Sequence, residues 1–255
     1  MTKYKAESIL PYNKEDKKST QVRKMFDSIA PAYDLLNRTM TWGIDKRWRM
    51  TAVNMLQDYA PQQILDIATG TGDLVFLMNQ ILNPEKIIGA DLSEGMLQIA
   101  REKAANFKSG ENIIFENQDC LHLTYKNEQF DAITVAYGVR NFEDLDKGFS
   151  EMYRVLQPGG VLLVIELSTP EKFPFRQLYH LYSGYIIPIL GKFLSKDKKA
   201  YTYLPKSIKG VPQGNNMLKV WIAGAGGQIG RALNDVLDPM QIEALNTDVN
   251  ELDIT

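Results

Sequence analysis

Ile64-Leu65-Asp66-Ile67-Ala68-Thr69-Gly70-Thr71-Gly72-Asp73 is an apolar run that breaks into two closely spaced glycines and then opens a helical pattern over residues 74–82. A strand, a glycine turn and a helix in that order bring backbone close to a nucleotide-like ligand at the strand's carboxyl end. Outward from this stretch the alternation repeats. Residues 63–68, 86–91, 112–117, 130–136 and 160–167 read as strands, the last opened by the turn Gln157-Pro158-Gly159-Gly160, and residues 95–106 and 145–156 read as further helices. Such alternation predicts an α/β fold with a doubly wound, mostly parallel sheet. Upstream, residues 21–34 and 44–59 carry apolar side chains at helical spacing, with Pro31 breaking the first, so two N-terminal helices are expected over the front of the sheet. Downstream, residues 173–194 are aromatic and aliphatic, interrupted by Pro174 and Pro188, and read as a helical cap.

The carboxylates at the strand ends narrow the ligand. A dinucleotide fingerprint needs a third glycine three positions after Gly72, and Val75 stands there, which disfavours NAD at this loop. Asp91 closes the second strand 21 residues after Gly70, where a carboxylate can accept from both hydroxyls of a ribose. Asp119, in Asn117-Gln118-Asp119-Cys120, is placed to accept from an adenine amino group. Asp66, Asp91 and Asp119 together repel a pyrophosphate and suit a phosphate-free nucleoside bearing a positive sulfonium, S-adenosylmethionine. Each Asp alone also reads as a turn former or helix cap; their joint order favours a cofactor site.

Composition sets the outer bounds. With 255 residues, 44% hydrophobic and 24% charged, the chain reads as one soluble globular domain with room for a small appendage, not as a disordered or fibrous chain. Its 29 basic and 31 acidic residues lack the basic excess of a nucleic-acid binder. Cys120 is the only cysteine and no Cys/His cluster has metal-ligand spacing, so no disulfide, no metal and a cytoplasmic setting are expected. Residues 1–24 lack a signal-peptide apolar block, and stretches such as 161–167 fall far short of the ~20 residues of a membrane span.

Several longer motifs carry a resemblance: Phe26-Asp27-Ser28-Ile29-Ala30-Pro31-Ala32-Tyr33-Asp34, Gly43-Ile44-Asp45-Lys46-Arg47-Trp48-Arg49, Tyr137-Gly138-Val139-Arg140-Asn141, Met152-Tyr153-Arg154-Val155-Leu156-Gln157-Pro158-Gly159-Gly160 and Tyr203-Leu204-Pro205-Lys206-Ser207-Ile208. Over residues 17–218 the chain resembles the class I S-adenosylmethionine-dependent methyltransferases, and within them the quinone C-methyltransferase family of ubiquinone and menaquinone biosynthesis. The resemblance implies S-adenosylmethionine-dependent C-methylation of a polyprenylated hydroquinone, demethylmenaquinol to menaquinol. It implies cofactor contacts at Thr71, Asp91, Asp119 and the backbone of Cys120, beside the loop glycines Gly70 and Gly72. Ala136 stands where some relatives carry a cofactor-contacting serine. The alternatives are another small-molecule methyltransferase and a cofactor-binding protein without turnover.

Methyl transfer to carbon is an in-line displacement that relies on positioning in a dry pocket, and a hydroquinone becomes a strong carbon nucleophile once a phenol proton is lost. Arg140 is the candidate for stabilising that oxyanion, directly or through a water; the alternative is a surface arginine paired with Glu143 or Asp144. Asn141 either fixes a ring oxygen or caps the following helix, and Tyr33 either closes over the substrate or is a core tyrosine. His122 and His180 have the right ordinary pKa for bases, yet a loop position and packing in an aromatic helix account for them. Residues 175–188, followed by Lys192, Lys196, Lys198 and Lys199, read either as a tunnel for the prenyl tail with a basic rim suited to anionic lipid or as a cap helix with a solvated lysine face. Peripheral membrane contact and a homodimer are the further partners expected.

Residues 219–255 read differently. Lys219-Val220-Trp221-Ile222-Ala223-Gly224-Ala225-Gly226-Gly227-Gln228-Ile229-Gly230 is a second strand and glycine turn, with glycines at 224, 227 and 230 that fit a dinucleotide site. This segment resembles the opening of the extended short-chain reductases of the dTDP-4-dehydrorhamnose reductase type, and it contains no tyrosine for their Tyr-x-x-x-Lys pair. With two basic against six acidic residues, it marks an expected boundary near Leu218 between a methyltransferase domain, 1–218, and a partial Rossmann segment, 219–255. A foreign βαβ-like tail would then replace the last two strands of the sheet, leaving an edge of the fifth strand open unless the tail pairs there, with reduced stability and loss of activity expected.

Overall fold

Four of the five residues of β1 (Gln63–Ile67) are buried, as expected of a central parallel strand covered on both faces. The computed structural model describes residues 4–13, 15–41, 43–107, 110–170, 172–186 and 197–213. In it β1 is joined by β2 (Lys86–Asp91), β3 (Ile113–Asn117), β4 (Phe130–Ala136) and β5 (Leu156–Ile165) in an all-parallel sheet of order β3-β2-β1-β4-β5. The chain winds outward from β1 through β2 to β3, then returns to lay β4 on the other side of β1. The carboxyl ends of β1 and β4 therefore flank the point where the winding reverses, the usual ligand crevice of such sheets.

Among the described residues the α-helices are α1 (Lys18–Ile29), α2 (Tyr33–Thr41), α3 (Ile44–Met55), α4 (Asp73–Leu82), α5 (Glu94–Ala105), α6 (Leu145–Val155), α7 (Phe175–Leu181) and α8 (Lys198–Gly210). On one face of the sheet, α6 buries Leu145, Phe149, Met152 and Val155, one stripe at helical spacing, against Leu65, Ile67, Ile133 and Val135. On the other, Val53 of α3, Leu74, Val75 and Met78 of α4, and Leu97 and Ala100 of α5 pack on Ile64, Ile87 and Ala132. A third cluster joins Val22, Met25, Ile29 and Leu36 of α1 and α2 to Met96 and to Tyr201 and Tyr203 of α8, in front of the strand ends.

Pro31 breaks the first N-terminal pattern as expected: α1 ends at Ile29, Pro31 sits in the 3-10 turn Ala30–Ala32, and a further helix, α2, starts at Tyr33. Proline fits a first helical turn, so the chain resumes a helix after it. Two expectations are corrected. The turn at residues 157–160 lies inside β5, not before it, because the ladder jumps from Phe130 opposite Leu156 to Ala132 opposite Val161, with Gly159 at φ +79°. The strand also stops at Ile165, and Glu166 turns away to another partner.

Among the described residues β5 pairs with β4 alone. The boundary at Leu218, the second glycine motif and the tail 219–255 lie outside the described residues, as do Pro188, Lys192 and Lys196. No described helix is long and apolar enough to cross a membrane.

Candidate active site

Where β1 and β4 end, Ala68 (φ +54°) and Tyr137 (φ +59°) take left-handed backbone and turn the two chains toward each other. They approach so closely that a Cβ on Gly138 would lie 2.5 Å from that of Ala68, so position 138 must be glycine. The loop after β1 is held by its neighbours: Gly70 N donates to Asp91 Oδ2 at 2.8 Å, and Thr71 Oγ1 donates to Asp34 Oδ1 of α2 at 2.6 Å. Gly72 (φ +82°) starts α4 in a conformation other residues rarely adopt, under the ring of Phe115.

Against this loop lies a cleft of about 800 Å³, counting its open mouth. Its walls include Val22, Phe26, Leu92, Met96, Leu121 and Phe142, and its polar groups include Gly70, Asp91, Gln118, Asp119, Asn141 and Glu143. None of the described residues lining it is Lys, Arg or His. Asp91 also accepts from Ser93 N at 2.8 Å, while burial raises its carboxyl pKa. Asp119 holds its own turn by accepting from Leu121 N at 2.9 Å, and Cys120 beside it has its thiol pKa pushed up by burial. An acid-lined, largely apolar cleft without a cation fits an adenosine carrying a positive sulfonium and does not fit a pyrophosphate.

Asp66 and Thr71 support this cleft and do not line it. Asp66 is buried in β1, accepts from Thr134 Oγ1 at 2.6 Å, and burial lifts its pKa to about 6. Ala136, Gly70, Asp91, Asp119, Cys120, Tyr33 and Asn141 do line it, whereas Gly72 sits behind it at the start of α4.

A second cavity, about 460 Å³ counting its open mouth, shares Phe26, Tyr33 and Asn141 with the cleft and is walled by Met25, Ile29, Leu36, Met40, Tyr201, Tyr203 and Leu204. Phe26 and Tyr33 meet edge to face at 6.0 Å between ring centres. Arg140 also lines this cavity, from the 3-10 turn Val139–Asn141. It is buried, with Nη1 at 2.6 Å from Glu166 Oε1 and 2.5 Å from the carbonyl of Tyr137, and its backbone N donates to Glu166 Oε2 at 3.1 Å. Burial opposes the guanidinium charge, but Glu166, together with Tyr33 and Tyr203, offsets this and the pKa lies above the ordinary arginine range. Its Nε is buried without a partner among the described residues.

The surface alternative for Arg140 is not what the structure contains. Glu143 instead accepts from Ser19 N at 3.0 Å, and Asp144 caps α6 by accepting from Lys147 N at 2.9 Å. Asn141 is consequently no helix cap; its Oδ1 accepts from the hydroxyl of Tyr203 at 3.1 Å. His122 is exposed, beside Lys147 and 3.6 Å from Asp119. His180, expected to be packed, is exposed on α7.

Sequence reasoning missed Glu166, Lys18 and the role of Tyr203. Lys18 is buried at the start of α1, where Nζ donates to the carbonyls of Ala6 at 2.8 Å and Arg140 at 2.9 Å, and burial pushes its pKa down to about 7. One signal was available for Glu166: a charge at the end of the strand next to β4 is placed to meet an arginine just beyond β4.

The family model described as the ubiE/COQ5 methyltransferase family matches residues 14–231, a range that runs past position 218. The chain is 54% identical over 217 residues to the demethylmenaquinone methyltransferase of Bacteroides fragilis, covering 85% of this chain and 89% of that relative. It is 45% identical over 208 residues to the demethylmenaquinone methyltransferase of Porphyromonas gingivalis, covering 81% and 85%. Among solved structures it is similar to the YcgJ protein of Bacillus subtilis, at 18% identity over 72% of this chain and 87% of that one, with a TM-score of 0.44.

Proposed function

The chain belongs to the ubiE/COQ5 methyltransferase family, and from that premise we propose that it C-methylates a polyprenylated hydroquinone, demethylmenaquinol to menaquinol, with S-adenosylmethionine as donor. The observation that carries this reading is the pair of cavities that share Phe26, Tyr33 and Asn141, one acidic and free of cations, the other apolar around a buried guanidinium.

When bound, S-adenosylmethionine supplies a methyl group on a positively charged sulfur. Asp91 accepts from the ribose hydroxyls, Asp119 and the backbone at Cys120 hold the adenine, and the loop Gly70-Thr71-Gly72 supplies close backbone over Asp66. The negative lining of Asp91, Asp119 and Glu143 favours the sulfonium charge. In the second cavity, Arg140, held by Glu166, stabilises the phenolate oxygen of the acceptor ring. Asn141, oriented by Tyr203, fixes the second ring oxygen, and Tyr33 closes the wall between donor and acceptor. The apolar lining excludes water from the transfer and leaves positioning as the main source of rate. Because a polyprenyl tail resides in a bilayer, the reading places the protein's encounter with its substrate at a membrane surface.

The test is transfer of labelled methyl from S-adenosylmethionine to reduced demethylmenaquinone by the full chain. Transfer is expected, and Arg140→Ala is expected to lower its rate by about 10²-fold or more with the affinity for S-adenosylmethionine nearly unchanged. A folded protein that binds S-adenosylmethionine and methylates no quinol refutes the reading.

A further inference from the structure

From Lys172 to Ile186 the chain carries no Asp or Glu, while Lys172, Arg176 and His180 are all exposed. On the same segment Phe173, Phe175, Leu178, Leu181 and Tyr185 are between 58% and 81% exposed. Isolated apolar side chains on a surface need no explanation, but five large ones on one short segment do. Its other side faces inward: Ser183 is buried, and the hydroxyl of Tyr182 donates to the carbonyl of Met40, a residue lining the second cavity. These residues were expected to be able to line a tunnel; most of their large apolar side chains instead point to solvent, beside the cavity read as the acceptor site.

We propose that α7 and the turn after it, residues 172–186, form a docking surface for anionic lipid that seats the second cavity against the bilayer. Apolar side chains interleaved with cations and free of acids match the boundary between acidic headgroups and acyl chains. A segment of this length lies in that boundary and cannot span it. A second copy of the chain is the weaker occupant. A two-fold contact would set this patch against itself, bringing Lys172 and Arg176 near their own copies with no carboxylate on the segment to separate them. The proposal rests on the reading of the second cavity as the site of a lipid-borne acceptor.

The experiment is co-sedimentation of the full chain with vesicles of phosphatidylcholine alone or mixed with phosphatidylglycerol, for the wild type and for the double variants Leu178→Gln/Leu181→Gln and Lys172→Gln/Arg176→Gln. Wild type is expected to partition onto the mixed vesicles, more weakly as salt rises. Removing the two leucines should lower partitioning about tenfold or more, and removing the two cations should abolish the preference for phosphatidylglycerol. Both variants should methylate a tail-less quinol in solution at the wild-type rate while losing rate on vesicle-borne quinol. Absence of wild-type binding to either vesicle, or binding unchanged in the leucine variant, overturns the proposal. So does a leucine variant that turns a dimer into a monomer in sedimentation velocity, which would assign the patch to a second copy. If wild type binds vesicles but methylates no quinol, tailed or tail-less, the functional reading fails while the docking surface stands.

Discussion

Replacing Lys18 with methionine is expected to change stability by an amount that depends on pH in a defined direction. Lys18 is buried, and its pKa falls from the ordinary 10.5 to about 7, chiefly through burial, with Glu7 and Glu143 opposing and Arg140 adding to the fall. Below pH 7 the amine is protonated in both the folded and the unfolded chain, so its contribution is constant. Between pH 7 and 10.5 the unfolded chain binds a proton that the folded chain has released, so stability rises with pH by about 1.4 kcal/mol per unit. Over the whole window this amounts to about 5 kcal/mol, flattening again above the unfolded pKa. Methionine keeps the length and apolar stem but removes the titration, and with it the hydrogen bonds to the carbonyls of Ala6 and Arg140. The stability of wild type minus that of Lys18→Met should therefore climb steadily from neutral pH to about pH 10. Several buried tyrosines, Tyr203 among them, have raised pKa values and destabilise the fold at still higher pH, but that effect is common to both proteins and cancels in the difference. Urea unfolding of both at one-unit pH intervals measures it. A difference that stays flat across the window would mean that folded Lys18 keeps an ordinary pKa, and would refute the reasoning.

Glu166→Ala leaves the buried guanidinium of Arg140 without its counter-charge, so stability should fall by about 3–5 kcal/mol in urea unfolding, and methyl transfer should fall with it. Glu166→Gln, which keeps an acceptor, should recover part of the stability and less of the activity; a Gln variant as stable and as active as wild type would mean the charge is irrelevant. Asp91→Ala removes the carboxylate that also receives Gly70 N and Ser93 N, and affinity for S-adenosylmethionine measured by calorimetry should fall by roughly 10-fold to 100-fold. An unchanged affinity would remove Asp91 from the cofactor site.

The half of the candidate site proposed to hold the cofactor draws on parts that are local in the sequence. Gly70 and Asp119 follow strands and Asp91 ends one, and the alternation of strands and helices alone puts three strand ends side by side. Asp66 reads like the other two by position, yet it stops one residue short of the strand's end and its carboxylate is turned into the sheet, onto Thr134. The acceptor half depends on contacts between distant residues: Lys18 meets Arg140 across 122 positions, and Tyr203 meets Asn141 across 62. No periodicity records such pairings. Apolar composition also carries no direction, so residues 175–188 read equally well as a tunnel or as a cap helix with a solvated lysine face, and only the structure shows that Leu178 and Leu181 are exposed.

The roof over both cavities is attached through polar contacts to the loops at the strand ends. On α1, Asp27 accepts from Ser93 Oγ at 2.6 Å and Gly95 N at 3.0 Å, and Lys18 reaches the carbonyl of Arg140. On α2, Asp34 accepts from Thr71 Oγ1 at 2.6 Å and pairs with Lys103 at 2.6 Å. Asp34 directly follows Tyr33, whose ring lines both cavities, so the loop that reads as holding the cofactor also fixes the side chain between cofactor and acceptor. Likewise, the turn that carries Arg140 is held from one side by Glu166, just past the end of β5, and from the other by Lys18 of the roof. Each side chain assigned to the acceptor is thus positioned through a contact to a strand-end loop or to α8, and this is how a reaction that depends mainly on alignment is served by a fold whose rigid part is the sheet.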